Sequence, residues 1–138
     1  MPGEPRTIVN PGDIRAKKNS TGATLAKGTV VKLSAANDDL ILKPAAIADA
    51  AYGVTMSDIL DGQWGDVQLR GIALVLAGTG GVTRGDRLTH DTAGFGRVST
   101  AAPAGGTNNA FVGVANRSAA VGVLTEVELA APGAQIQG

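Results

Sequence analysis

From about residue 23 to residue 130, apolar and polar positions alternate with a period of two. That period belongs to strands with one dry and one wet face. The stretch LTEVEL (124–129) shows it plainly, with Val123, Val127 and Leu129 on one side and Glu126 and Glu128 on the other. DVQLRGIALVLAG (66–78) shows it in two phases: Val67 and Leu69 share one, and Ile72, Leu74 and Leu76 take the other. The switch falls at Gly71, where a bulge or a barrel corner would re-aim the strand. A helical period is scarce. KPAAIADAAYG (43–53) has room for one or two turns around residues 44–51, limited by Pro44 and Gly53.

The pattern also repeats. LAKGTVVKL (25–33) matches VTRGDRL (82–88), each an aliphatic, a basic residue followed by glycine, and then a strand. AYGVTMSDILDGQWGDVQL (51–69) aligns on AFVGVANRSAAVGVLTEVEL (110–129), so Gly53 falls on Gly113, Val54 on Val114, Val67 on Val127 and Leu69 on Leu129. Two long copies predict two similar β-units packed together rather than a solenoid. The expected fold is all-β, with the repeat spanning 25–69 and 82–129.

The two ends break the pattern. Residues 1–22 hold three prolines and three glycines without apolar periodicity, which predicts an extended arm. AAPGAQIQG closes the chain, and residues 131–138 are expected to form a flexible tail.

Composition sharpens this picture in three places. Twenty glycines and six prolines in 138 residues point to many turns and short strands. There is no cysteine, so neither disulfides nor thiolate metal sites enter. No apolar run approaches the ~20 residues that cross a bilayer, and MPGEPRTIVN lacks the apolar core of a signal peptide, so a soluble, cytosol-made chain with no membrane partner is expected. Net charge is zero, yet residues 1–32 carry six basic side chains against two acidic ones. A basic leader suits an acidic neighbour. Without an arginine cluster or interleaved aromatics it does not suit nucleic acid.

Candidate chemistry is thin. The only histidine, His90, lies in RGDRLTHDTAGFGRV (84–98), and the first copy fills that slot with VKLSAANDD. His90 is therefore read as a polar turn residue. Gly85 of the Arg84-Gly85-Asp86 tripeptide, like Gly28 of Lys27-Gly28-Thr29, serves backbone geometry. No Gly-x-Ser-x-Gly elbow offers His90 a nucleophile. Asp58, Asp61 and Asp66 lack calcium-loop spacing and read as a solvated turn. AGTGGVTRG (77–85) fits neither phosphate-cradling glycine motif. No catalytic residue, metal site or cofactor is expected, and the chain is not expected to be an enzyme.

The order L-A-K-G-T-V-V, A-Y-G-V, G-D-V-Q-L-R-G-I-A, T-R-G-D-R-L-T, G-R-V, F-V-G-V-A and E-V-E-L, over roughly residues 22–130, resembles the small cement or decoration proteins that tailed bacteriophages add to the outside of their capsids. The resemblance implies a compact β-barrel or jelly-roll-like body that clamps neighbouring major capsid subunits on the virion surface. It also implies a small symmetric homo-oligomer, for which a two-fold dimer is the default and a trimer the rival. The other reading is a carbohydrate- or peptide-binding module, or a tail or baseplate subunit.

On the cement reading, Ile8, Val9 and Ile14 anchor the arm while Arg15, Lys17 and Lys18 meet acidic capsid surface. Some twenty residues, extended at ~3.3 Å each, reach about 65 Å, farther than a body of this mass is wide. Removal of residues 2–21 is then expected to leave a folded body that no longer binds. Trp64 stands out as an interface aromatic.

Overall fold

The computed structural model describes residues 10–138. It is all-β, with eleven strands and no helix among those residues: β1 (Asn10–Asn19), β2 (Val30–Leu33), β3 (Leu40–Leu42), β4 (Gly53–Thr55), β5 (Trp64–Leu76), β6 (Arg87–His90), β7 (Val98–Thr100), β8 (Asn108–Ala110), β9 (Gly113–Ala115), β10 (Leu124–Leu129) and β11 (Gln135–Gln137). Nine form one sheet in the order β1-β3-β2-β4-β5-β10-β9-β6-β7, and β1 also pairs with β5. That last pairing closes β1, β3, β2, β4 and β5 into a five-stranded barrel. A second ring runs from the end of β5 through β10, β9, β6 and β7. It closes at a single parallel bridge between Ala77 and Val98.

The two rings share their registers. Val54 faces Gln68 and Thr55 faces Val67; sixty residues on, Val114 faces Glu128 and Ala115 faces Val127. Val31 against Gly53 recurs as Leu88 against Gly113, and Leu33 against Ile41 as His90 against Val98. The bridge Leu25–Ile59 recurs as Val82–Ala119. Even turn bonds recur: Gly28 N–H donates to Thr55 O over 3.0 Å and Gly85 N–H to Ala115 O over 2.8 Å, both glycines at positive φ.

The repeat begins earlier than the sequence suggested. Ile14 faces Gln68 as Ile72 faces Glu128, and Lys18 faces Trp64 as Leu76 faces Leu124. Asn19 bridges Ile41 in parallel as Ala77 bridges Val98. So β1 is the counterpart of the second half of β5. Residues 10–19, expected to belong to a free arm, are extended but lie in the sheet. β1 pairs with β5 along its length and with β3 at Lys18 and Asn19, and these two pairings close the first barrel. Removal of residues 2–21 would therefore take away a wall of the body.

Other expectations also change. Along β5 and the residue after it the buried aliphatic residues keep one parity through the bend, from Val67 and Leu69 to Ala73, Val75 and Ala77, while Ile72, Leu74 and Leu76 are half-buried and Gln68 is buried on the other parity. Gly71 still marks the corner, with φ at 85°. The small side chains go inward there because two rings converge on one strand. On β10, Thr125 and Val127 are buried as alternation requires, but Glu126 is buried too, its carboxylate 3.2 Å from Arg117 Nε. The tail is no loose end: β11 pairs with β8 and buries Ile136, the apolar residue that makes the pairing worthwhile. Residues 44–51 form no helix, since the carbonyls of Ile47, Ala48, Asp49 and Ala51 accept hydrogen bonds from other parts of the chain.

Each ring closes over its own aliphatic core. Leu25, Val31, Ile41, Ile59, Val67 and Leu69 fill the first. Their counterparts Val82, Leu88, Val98, Ala119, Val127 and Leu129 belong to a larger cluster that also takes in Val30, Val54 and Val112, and so runs into the joint between the rings. Each buried aliphatic side chain contributes roughly 1.5–3 kcal/mol.

Candidate functional site

The sequence singled out β1 and the head of β5, and the structure brings them side by side. Directly paired residues on antiparallel strands share a face. Lys18 lies beside Trp64, Ala16 beside Asp66 and Ile14 beside Gln68, on the face of the first barrel turned away from its core. Of these, Gln68 is itself covered, whereas Trp64 is 56% exposed and Ile14 39%. Leu60, in the turn leading into Trp64, is 62% exposed. Trp64 and Ile14 are therefore two exposed apolar side chains on one face, with Lys18 beside Trp64 and Ala16 and the exposed Asp66 between them.

Arg15 and Lys17 do not join it. They take the opposite, inward parity, like Ala73 and Val75 in the second barrel. Arg15 reaches back to Asp13 at 2.5 Å. Lys17 donates to the Asp38 carbonyl at 2.6 Å and holds its ammonium 5.6 Å from the centre of the Tyr52 ring. Lys17 is engaged within the protein, whereas the Arg15 side chain stays 56% exposed beside Asp13, so the basic stretch is split between two faces. Ile8 and Val9 lie outside the described residues.

The second barrel repeats the apolar end. Val121 and Val123 flank Gly122 in the turn before β10 and are about half exposed. This turn adjoins the C-terminal end of β5, whereas Leu60 and Trp64 sit at its N-terminal end. Thirteen residues of strand separate the two turns, up to about 40 Å at ~3.3 Å per residue.

The remaining candidates are structural. Asp58 and Asp61 accept the backbone N–H groups of Lys27 and Gly22, at 2.7 and 2.9 Å. Ser118 takes Asp58's place in the second copy, accepting from Arg84 N–H at 3.0 Å. The glycine-rich loop at 77–85 already holds an anion: the buried Asp91 carboxylate accepts Thr79 N–H at 2.8 Å and leaves no room for a side chain at Gly78. Asp86 accepts Thr83 N–H and the Thr100 hydroxyl, fixing the Arg84-Gly85-Asp86 turn. Among the described residues no three carboxylates or histidines gather to hold a metal ion.

Sequence reasoning missed a groove lined by Lys32, Leu33, Asp49, Tyr52, Pro132 and Gly133. Its polar groups satisfy one another. Asp49 Oδ2 accepts Lys32 Nζ at 3.0 Å and the N–H groups of Ala45 and Ala46. Those backbone bonds, with Lys32, hold the Asp49 carboxyl below the usual carboxylate range. No sequence motif announced this arrangement, because most of its partners are backbone atoms.

His90 is not a turn residue. It ends β6, fully buried, with Nε2 2.7 Å from the Asp49 carbonyl. Burial pushes its pKa below the ordinary value, against the opposing pull of the Asp49 carbonyl and carboxylate.

The sequence matches no established family pattern and no curated protein. The fold does match. A crystal structure of the head fiber gp8.5 N base in bacteriophage phi29 superposes with a TM-score of 0.64, covering 91% of this chain and 98% of that one, at 18% identity. At that identity the likeness is one of fold.

Proposed function

We propose that this chain is a structural protein of a bacteriophage head, seated on the outer surface of the capsid, where it cements neighbouring major capsid subunits. The observation that carries the reading is the architecture. The fold, over nearly the whole of both chains, is shared with a domain that forms the N base of a phage head fiber. The mechanism is passive, with no bond made or broken. Apolar turns at opposite ends of β5, Leu60 and Trp64 at one and Val121 and Val123 at the other, are spaced to rest on different capsid subunits. Area buried at both ends resists the subunits moving apart. Each contact is small, and many copies on one shell supply avidity. The protein's partners on this reading are the major capsid protein and further copies of itself.

The test is co-sedimentation of the purified chain with empty heads assembled from the major capsid protein encoded in the same genome. Saturable binding is expected, with Trp64→Asp and Val121→Asp each weakening it about tenfold or more, the loss that follows from unburying an anchor worth about 1.4 kcal/mol or more. Heads that pellet without the protein would overturn the proposal.

A further inference from the structure

Residues 47–51 belong to the first barrel's half of the chain, yet four of their carbonyls are taken by groups from beyond it. Ala110 N–H donates to Ile47 O at 2.8 Å, the Gln135 side-chain amide to Ala48 O at 3.2 Å, and Gly133 N–H to Ala51 O at 3.1 Å. The fourth donor is His90, to Asp49 O. This strap joins the two halves, and His90 is the only one of its donors that can gain a proton in the physiological range.

The bond fixes the tautomer. A carbonyl only accepts, so Nε2 carries the hydrogen and Nδ1 is bare. Among the described residues Nδ1 is buried and has no hydrogen-bond partner. A second proton on Nδ1 would therefore create a buried cation with an N–H aimed at nothing, which a protein interior does not tolerate without relief. Little nearby offers relief. Among the described residues the charged groups facing the ring are Asp49 and Lys32. The Asp49 carboxylate is committed to Lys32, Ala45 and Ala46, and Lys32 repels an imidazolium. β7, which sets Val98 opposite His90, β8 and β9 contain no charged side chain. The neighbouring Asp91 spends its carboxylate on Thr79 and Ala93.

We infer that His90 is a proton-sensitive latch: on acidification the charged ring leaves its site, the link to Asp49 breaks, and the strap between the two barrels loosens. The inference stands apart from the capsid reading, since it concerns the joint alone. Its sign follows from linkage. A histidine whose folded-state pKa lies below its unfolded value gives stability that is complete above about pH 6.5 and is lost as pH falls. Asp49, shifted down among carboxylates, acts in a separate and more acid window, below about pH 4.

Because the chain has one histidine, its ring protons give a single, unambiguous NMR titration on the full-length protein. The expected result is a midpoint below about 6.5, accompanied by backbone shift changes confined to 47–51, β6 and β11. In parallel, Tm is expected to fall by about 4 °C or more between about pH 7 and pH 5 in the native protein. That fall should vanish in His90→Gln, whose amide can still donate to Asp49 O but cannot titrate. If His90→Gln folds poorly, His90→Asn serves the same comparison, and the native titration stands by itself. A midpoint at or above 6.5, or an unchanged pH dependence in the variants, would overturn the latch.

Discussion

The two barrels share a backbone ladder but not a lining. Where the second barrel receives Ala73 and Val75 from β5 and Ala77 just after it, all at 0–1% exposure, the equivalent β1 positions hold Arg15, whose side chain is 56% exposed, Lys17 and the buried Asn19. Val112 of the second core has Tyr52 as its counterpart, and there Lys17 rides over the ring. Asn19, buried, donates to the Ala23 and Ile59 carbonyls and accepts from Thr21, which a methyl group could not do. One seam is therefore polar and hydrogen-bonded, the other aliphatic. Register and turn geometry specify this fold, and side-chain identity along a single strand is negotiable so long as buried polar groups find partners. The second barrel is also covered by β8, β11 and the 47–51 strap. The same position is thus a buried His90 there and an exposed Leu33 in the first barrel.

The largest expected effect comes from removing that polar strand. Deletion of residues 10–19 strips β3 and β5 of a partner each, so the first barrel should melt while part of the second survives. Hydrogen exchange would read this as lost protection over β2–β4 with residual protection over β6, β9 and β10. A truncated protein with full protection would mean that β1 is dispensable.

Next come the equivalent glycines. A methyl at Gly113 would run into the Glu128 carbonyl, and one at Gly53 would sit 2.6 Å from the Gln68 carbonyl. Each glycine lets two strands approach, so Gly113→Ala and Gly53→Ala should cost about 3 kcal/mol or more apiece in denaturant unfolding. A cost at one site alone would break the equivalence of the ladders.

A core exchange sharpens the comparison. Ile59, packed against Gly65, has Ala119 as its counterpart. Ile59→Ala should lose about 2–5 kcal/mol, the cost of a cavity opened in a core packed tightly against Gly65. A loss under 1 kcal/mol would indicate that the six core positions do not carry equal weight.

The smallest effect is expected for Lys17→Val, which imports the second barrel's residue. It gives up a cation–π contact of about 0.5–1 kcal/mol and the exposed hydrogen bond to the Asp38 carbonyl, and gains apolar burial. The net change, read by thermal melting, should stay below about 1 kcal/mol, and a large loss would show the polar seam to be essential.

Much of this architecture is legible in the amino-acid sequence. Period-two alternation points to an all-β fold, and the alignment of Gly53-Val54 with Gly113-Val114 locates two copies whose registers coincide. Gly71 is a corner in the pattern and a corner in the fold. What stays hidden has physical reasons. In Ile-Arg-Ala-Lys-Lys-Asn the inward residues of β1 are polar, so no dry face shows, and only Ile14 with Thr21-Gly22 keeps the likeness to Ile72 with Thr79-Gly80. β11 has a single apolar residue to announce it. The strap over 47–51 is made of backbone carbonyls, which any sequence supplies. The exposed face is half legible, since Trp64 stands out, but its pairing with Lys18, two same-face pairs along from Ile14 and Gln68, depends on a register that spacing alone does not reveal.

The central claim is that this double barrel strengthens a phage head from outside. The direct measurement is the temperature at which filled heads release DNA, with and without saturating protein. The account predicts release at a higher temperature when the protein is bound, and a return to the bare value with the doubly altered chain Trp64→Asp, Val121→Asp. Release at the same temperature in all three samples, with binding demonstrated, would contradict it.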